Sequence, residues 1–192
     1  MSSIIQTREL WLNQAMEHLV PAFSSYNVPA NIRCSCGFPS KGAMSNKRKR
    51  IGECWSDKAS EGKYFEIFIH PCLSEPVEVL ETLIHEMAHA VVGLEAKHGG
   101  PFKRLATEIG LIGKMTATKA SPELSKELLQ ISNVIGPYPH QRLSSLDAGR
   151  IKKGSNVVKA VCPECGYTAV ISKKWYAESG VPTCPCGTQM EG

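Results

Sequence analysis

Two histidines four residues apart, His85 and His89, constrain this chain more than any other feature of its sequence. Residues at this spacing lie one above the other on the same face of an α-helix. Apolar residues recur around them at helical spacing, and these are Val77, Leu80, Ile84, Met87 and Val91. The segment is therefore predicted to be an amphipathic helix with one buried face, and both imidazoles are expected to point in one direction.

Glu86 directly follows His85, so its carboxylate is expected to lie beside the imidazole pair. Neutral imidazoles bind zinc without cancelling its charge, and a zinc-bound water then has a pKa of about 7. A carboxylate next to that water takes its proton and passes it to a leaving amine. The H-E-x-x-H pattern is typical of zinc metallopeptidases and predicts His85 and His89 as zinc ligands with Glu86 as the base. The alternative is a helix whose histidines bind nothing.

A catalytic zinc site has three protein ligands and an open fourth position. His98 is the candidate third ligand, because Gly93 is expected to end the helix and the chain then has room to turn back. The two glycines after His98 allow the backbone to approach a metal closely. Glu95 and Glu108 are alternative third ligands, and His98 is alternatively a solvated loop residue.

The rest of the first 140 residues shows short helical and strand-like patterns. Helices are predicted at 7–20, 102–109 and 121–135, and strands at 28–34, 51–55 and 63–70. Ser74 is expected to cap the histidine helix. The fold class is therefore α+β, with an N-terminal helix, a small three-stranded sheet, the histidine helix and further helices in a domain at 1–140. A linker at 141–156 and a small module at 157–192 follow.

Four cysteines near the C-terminus form two close pairs, Cys162 with Cys165 and Cys184 with Cys186, and each pair is followed by glycine. Such turns present two thiolates to one metal ion, and a closed four-thiolate zinc site organises a fold too small for its own core. The module is predicted to be a zinc ribbon with a structural zinc. A disulfide or redox pair is the alternative.

The other cysteines, Cys34, Cys36, Cys54 and Cys72, are expected to be buried free thiols, with a further metal site as the alternative.

The net charge of +4 permits an anionic partner without requiring one. The basic run Lys47–Arg50 and the lysines of the module, together with Trp175, are candidate DNA contacts. A solvated loop and a Trp in the core of the module are the alternatives. Because the sequence shows neither a signal peptide nor a run of about 20 apolar residues, a cytoplasmic protein without membrane contact is expected.

The stretch TLIHEMAHAVVGLEAKHGGPFKRLA resembles the SprT-like zinc metallopeptidase domain, which is related to the Spartan proteases that degrade proteins crosslinked to DNA. That family carries H-E-x-x-H and then a histidine in an H-G-x-x-F context, here His98 to Phe102. The resemblance covers about 7–140 and, more loosely, the tail, because many members end in a zinc ribbon. IGECW, LIGKMTAT and GPYPH are most similar to the bacteriophage and bacterial forms.

The resemblance implies a zincin-like fold with His85, His89 and His98 on zinc and Glu86 as the base. It also implies that the strand at 63–70 lies along the cleft, where an extended substrate adds as another strand. The gap between His89 and His98 is shorter than in the animal Spartan proteins, so their lid features do not carry over.

The function implied is a zinc-dependent endopeptidase that acts on DNA-associated or DNA-crosslinked proteins. The alternative is a DNA-binding adaptor or a transcription-associated zinc protein with a structural or idle metal site. Glu86 favours the enzyme, because a purely structural histidine site needs no base. Tyr138 and His140 would supply an oxyanion donor if the GPYPH turn folded over the cleft, and otherwise this turn packs against the domain.

Overall fold

The computed structural model describes residues 6–45, 48–144 and 155–192. Its contacts divide the chain into two compact units, Met1–Ser145 and Leu146–Gly192. The described residues contain five α-helices and three small sheets, so the predicted α+β class is confirmed. Most of the predicted linker at 141–156 lies outside the described residues. None of the described helices is long and apolar enough to cross a membrane.

The first unit combines four helices with two sheets. Its helices are α1 (Arg8–Leu19), α2 (Pro76–Val92), α3 (Gly100–Glu108) and α4 (Pro122–Ile135). Its strands are β1 (Ile32–Cys36), β2 (Gly52–Trp55), β3 (Phe65–Ile69), β4 (Leu111–Lys114) and β5 (Ala117–Ala120). Short 3-10 turns occur at Val20–Phe23, Asp57–Ala59 and Leu94–Ala96.

Side-chain caps explain where two of the helices begin. Thr7 Oγ1 accepts a hydrogen bond from Leu10 N at 3.1 Å, and Ser121 Oγ accepts one from Leu124 N at 3.1 Å. At α2 the predicted cap is wrong: the N-cap is Glu75, without a side-chain bond, rather than Ser74. The first turn of α2 instead relies on a proline at its start.

The three-stranded sheet has the order β1-β3-β2, with β1 parallel and β2 antiparallel to β3. Since β3 is central, both of its edges already carry backbone hydrogen bonds. The expectation that an extended substrate would join the strand at 63–70 is therefore wrong. Among the described residues, no further strand pairs with the outer edges of β1 and β2, and these are the free edges of the sheet.

A hairpin of β4 and β5 follows α3 and was not predicted from the sequence. The two strands pair antiparallel, with Leu111 opposite Ala120 and Gly113 opposite Thr118. The hairpin connects α3 to α4 and contacts α2 through β5.

The core of the first unit lies between α1, α2 and the sheet, and α3 and α4 complete it. The apolar side of α2 is buried along most of its length, as its periodicity predicts, with Leu80, Leu83 and Ile84 inaccessible to solvent, whereas Val77 and Val91 near its ends are half-buried. The other large buried side chains include Trp11, Leu12, Leu19, Phe23, Ile67, Ile69, Phe102 and Leu105.

The second unit is an antiparallel pair, β6 (Val157–Val161) and β7 (Thr168–Ser172), followed by the short helix α5 (Lys173–Ser179). Ser172 caps that helix by accepting a hydrogen bond from Trp175 N at 3.3 Å. The fully buried apolar residues are few: Ala160, Cys162, Cys184 and Met190. Such a small core needs a further stabilising element to hold a fold.

Candidate metal sites

The structure brings the three predicted histidines together. Two of them extend from successive turns of α2, and His98 approaches after the chain turns back through Leu94–Ala96. His98 Nε2 lies 3.2 Å from His89 Nε2 and 3.3 Å from His85 Nε2. The third member of this cluster is thus His98, and neither Glu95 nor Glu108 belongs to it.

The spacing of these nitrogen atoms matches the geometry of a zinc site. Two imidazole nitrogens bound at about 2.05 Å from one zinc ion, at the tetrahedral angle, lie about 3.3 Å apart. The two measured separations, 3.2 and 3.3 Å, agree with that value. The histidine cluster is therefore a potential metal site compatible with zinc.

Phe102, in the first turn of α3, packs against all three imidazoles. Its ring centroid lies 4.3 Å from that of His89 in a stacked arrangement and 5.0 Å from those of both His85 and His98. Phe102 is fully buried. The sequence singled it out only as part of the H-G-x-x-F context, but in the structure its ring contacts all three histidines of the cluster.

The environment of the cluster keeps its imidazoles neutral. Burial, with a further contribution from neighbouring histidines, lowers the pKa of His85 to about 4 and that of His89 to about 3. Burial also lowers the pKa of His98. At neutral pH, the nitrogen lone pairs are therefore available to a metal without competition from protons.

The side chain of Glu86 extends from α2 towards strand β2. A Cβ atom on Gly52 would come within 2.5 Å of Glu86 Oε1 and 2.6 Å of Thr82 Cγ2, so the strand can approach the carboxylate this closely only with glycine there. Glu86 is 8% exposed, and the backbone N–H of Cys54 is near enough to act against the rise of its pKa. Burial raises the pKa of Glu86 to about 8, against the opposing effect of the Arg50 charge.

The ladder between β2 and β3 shows which backbone groups of β2 face outward. His70 N donates to Ile51 O at 2.8 Å, which makes Ile51 and His70 a hydrogen-bonded pair. In an antiparallel ladder such pairs alternate with non-bonded ones, and the next pair is Gly52 with Ile69. The backbone groups of Gly52 and Cys54 therefore point to the free edge, beside Glu86.

Of the basic run at Lys47–Arg50, Lys47 lies outside the described residues, and Arg50 is anchored. The Glu53 carboxylate accepts hydrogen bonds from Arg50, from the backbone N–H and hydroxyl of Ser40 at 2.7 and 2.8 Å, and from Trp55 Nε1 at 2.9 Å. Burial acts to raise the pKa of Glu53, but these donors hold it below its usual value. The Arg50 guanidinium is therefore held by Glu53 just before β2, and its charge acts on Glu86, although the side chain stays half exposed.

The GPYPH turn packs against the domain. Tyr138 is 5% exposed, and its ring centroid lies 4.9 Å from that of Trp11. His140 donates from Nε2 to Pro71 O at 2.8 Å and accepts from Arg8 at Nδ1, at 3.4 Å. These contacts correspond to the structural role foreseen for this turn, and neither side chain belongs to the histidine cluster.

The second potential metal site is formed by the four C-terminal cysteines, whose sulfur atoms all lie within 4.8 Å of one another. Cys162 Sγ lies 3.6 Å from Cys186 Sγ, and Cys165 Sγ lies 3.5 Å from Cys184 Sγ. Two sulfurs bound to one zinc ion at about 2.3 Å are about 3.8 Å apart, whereas a disulfide bond is about 2.05 Å long. All four are free thiols, so the disulfide alternative is wrong and the spacing is compatible with zinc.

The four N-terminal cysteines are also free thiols. Cys34 and Cys54 are buried on either side of Ile67 in the sheet, whereas Cys36 and Cys72 are half-buried. In the part of the chain that the structure describes, no metal-binding group of three or more includes any of them.

No protein-family model, curated protein or solved structure matches this chain. The histidine cluster combines three neutral nitrogen ligands, a buried carboxylate and a free strand edge. The cysteine cluster has four sulfur ligands and a minimal core.

Proposed function

We propose that the chain is a zinc-dependent endopeptidase of the SprT-like type with a zincin-like fold, which acts on DNA-associated proteins. One zinc ion would be held by the three histidines and a second, structural one by the four cysteines. The observation that carries this proposal is the position of Glu86, whose buried carboxylate lies between the histidine helix and the free edge of β2. The resemblance of 82–106 to SprT-like domains supports the same assignment.

The zinc ion would supply Lewis acidity that polarises a water molecule and the scissile carbonyl group. Glu86 would accept the proton of the attacking water and deliver it to the leaving amine. Burial raises the pKa of Glu86 to about 8, and the positive charge of a zinc ion on the neighbouring histidines would lower it towards neutrality, which favours the carboxylate form that accepts the proton. The three imidazoles would remain neutral ligands throughout.

The free edge of β2 would bind the substrate. A peptide that adds as a strand to this edge would bond to the outward backbone groups of Gly52 and to the carbonyl group of Cys54, whose N–H is directed at Glu86. The carbonyl groups of the peptide would then lie beside Glu86. Recognition through main-chain hydrogen bonds depends little on the side chains of the substrate. The enzyme is therefore expected to cleave with little sequence preference.

Attachment to DNA would come from the second unit together with Arg48, Lys49 and Arg50. Trp175 and Tyr167 are 56% and 51% exposed, and Lys174 Nζ lies 5.2 Å from the centroid of the Trp175 ring. Exposed aromatic rings stack on unpaired bases, and neighbouring basic groups bind phosphates. Trp175 is not a core residue of the module, which favours its proposed role in binding single-stranded DNA.

A DNA-binding adaptor is the second candidate, and the same exposed aromatic side chains favour it. In that case the cysteine module would do the work and the histidine site would be idle. The two candidates differ in what they require of Glu86, because an adaptor gains nothing from a buried carboxylate beside its metal ligands.

The test measures zinc content and proteolysis of a DNA-binding protein substrate by the purified chain, by Glu86→Gln and by Glu78→Gln. Glu78 lies in the first turn of the same helix and is exposed, so its substitution is a matched control. We expect two zinc ions per chain in all three proteins. Cleavage should be stimulated by single-stranded DNA and lost in Glu86→Gln alone, by at least about 10²-fold. One zinc ion per chain, or no cleavage by any of the three with or without DNA, would favour the adaptor.

A further inference from the structure

The β4–β5 hairpin reaches the histidine cluster at one point. Thr118 Oγ1, on β5, lies 2.8 Å from Nδ1 of His85. The other ring nitrogen of His85, Nε2, lies 3.3 Å from Nε2 of His98 and thus faces the centre of the cluster. The two nitrogens of one imidazole therefore have different partners, one in the hairpin and one in the cluster.

A second contact fixes the hairpin against the same helix, one turn before His85. The Glu81 carboxylate accepts a hydrogen bond from Ala120 N at 3.1 Å and another from Lys119 Nζ at 3.2 Å. These donors immediately follow Thr118 in β5. Glu81 thus sets the position of the strand along α2 and places the Thr118 hydroxyl opposite His85.

A neutral imidazole carries one proton, and the nitrogen that bears it cannot bind a metal. If Nδ1 of His85 donates to Thr118 Oγ1, the lone pair of Nε2 is left free and directed at the cluster. The ring of Phe102 also restrains His85, with centroids 5.0 Å apart, but an apolar ring does not select between the two tautomers. The Thr118 hydroxyl is the polar partner of Nδ1, and its oxygen has a lone pair that can accept a hydrogen bond from Nδ1–H.

We infer that Thr118 is a positioning residue for the proposed zinc site: its hydroxyl oxygen accepts a hydrogen bond from Nδ1–H of His85 and so presents Nε2 as the ligand. This inference rests on the metal site of the proposed function but not on protease activity. Partners of this kind raise the basicity of the ligand and fix the plane of its ring, and their loss weakens metal binding by about 10–100-fold.

The experiment compares three variants of the full chain. Thr118→Val removes the hydroxyl while retaining the size and β-branching of the side chain, and Thr118→Ser retains the hydroxyl. Thr116→Val is the matched control, because Thr116 belongs to the same hairpin but is exposed in its turn. The free energy of unfolding of each variant is measured as well, so that a general loss of stability is recognised.

The readout is NMR of the ¹⁵N-labelled histidine side chains. In the metal-free protein, correlations between ring nitrogens and carbon-bound protons identify the tautomer of His85. A zinc titration against a competing chelator, followed on the same His85 and His89 signals, then gives the affinity of this site separately from that of the cysteine cluster.

We expect His85 to be in the Nδ1–H form in the parent chain, in Thr118→Ser and in Thr116→Val. In Thr118→Val the Nε2–H form should become populated and zinc affinity should fall by about 10–100-fold. Unchanged zinc affinity in Thr118→Val would overturn the inference, and so would an unchanged tautomer. An equal loss of affinity in Thr118→Ser would also overturn it, because packing rather than the hydroxyl would then be responsible. A parent chain whose His85 and His89 signals do not respond to zinc would instead refute the proposed metal site itself.

Discussion

Replacement of Gly52 by alanine tests the arrangement of β2 and Glu86 most directly. Alanine readily adopts the extended backbone conformation of a strand. Replacement of glycine by alanine at such a position would ordinarily stabilise a protein by about 0.4–1 kcal/mol, because alanine restricts the unfolded chain. In this structure, however, the added Cβ would lie 2.5 Å from Glu86 Oε1, 2.6 Å from Thr82 Cγ2 and 2.9 Å from Glu86 Cγ.

These contacts cannot be relieved by a small rotation of one side chain. Non-bonded heavy atoms normally approach to about 3.5 Å, so β2 or the two side chains must move apart by about 1 Å. Glu86 is 8% exposed, and Thr82 is held by a hydrogen bond from its Oγ1 to Glu78 O at 2.9 Å. Overpacking of this kind costs about 1–3 kcal/mol, which exceeds the gain from the unfolded chain.

The assay combines equilibrium denaturation with zinc content and cleavage rate. We expect Gly52→Ala to unfold more easily by about 1–2 kcal/mol and to retain both zinc ions. A displacement of Glu86 by about 1 Å should lower the cleavage rate by about 10²-fold. Gly100→Ala is the matched control, because a Cβ there meets no atom within 4 Å although the residue lies close to His98.

The sign of the change in the free energy of unfolding shows whether β2 packs against Glu86. If Gly52→Ala were as stable as the parent chain or more stable, β2 would not contact Glu86 as described. The substrate edge proposed here would then lose its basis. A loss of stability in Gly100→Ala of the same size would point to a general effect of the substitution rather than to the contact.

Three further predictions concern other parts of the chain. Cys184→Ser should leave one zinc ion per chain and abolish the protease resistance of the second unit, because its small core depends on the metal; retention of both ions would contradict this. Burial lowers the pKa of His70 in the folded chain below its ordinary 6.5. As the pH falls through 6.5, the unfolded chain therefore binds more protons than the folded chain, and the folded chain loses stability. The stability advantage of the parent over His70→Asn in denaturation experiments should therefore shrink between about pH 7.5 and about pH 5.5, and a constant difference would be evidence against it. Trp11→Phe removes the bond from Nε1 to Gly136 O, 2.9 Å long, and leaves that carbonyl without its donor, so the free energy of unfolding should drop by about 1–3 kcal/mol in urea denaturation.

The sequence was most informative about α2 and the ligands. The helical period of its apolar residues and the positions of Gly93 and Pro76 are local properties, and they predicted the helix close to its observed bounds, Pro76–Val92. The convergence of His85 with His89 follows from helix geometry alone. His98 could be proposed because the chain between Gly93 and the two glycines can turn back within a few residues.

The order of the sheet could not be predicted in the same way. Alternation at 63–70 indicates a strand but says nothing of its neighbours, which depend on how distant segments pack. This strand is central because β1 pairs with it on one side and β2 on the other. In the sequence, however, β2 lies between β1 and β3, so the parallel pairing of β1 with β3 passes over the neighbouring segment. We therefore propose for β2 the role expected of this strand, and in β2 a single glycine, Gly52, allows the close approach to α2.

The β4–β5 hairpin was missed because its strands carry no strand signal. They are four residues each, rich in small and charged side chains, and Met115-Thr116 at their turn is not one of the glycine-containing pairs that identify hairpins. Nothing in the sequence near Thr118 suggested a contact with His85. Residues that support metal ligands from other segments depend on tertiary packing, and a local pattern does not reveal them.

The residues that contact the candidate site, Thr118 and Gly52, come from different segments. Loss of zinc binding and loss of cleavage can therefore be tested separately. Thr118 contacts His85, a proposed metal ligand, so its loss should act on zinc affinity. Gly52 contacts Glu86 and no ligand, so its replacement should act on cleavage while zinc is retained. An idle or structural site would lose zinc affinity when Thr118 is replaced. It would show no cleavage, so replacement of Gly52 would have no cleavage rate to lower. Observation of both effects, each confined to its own variant, would therefore identify the chain as an enzyme in which the ligands and the base are positioned independently.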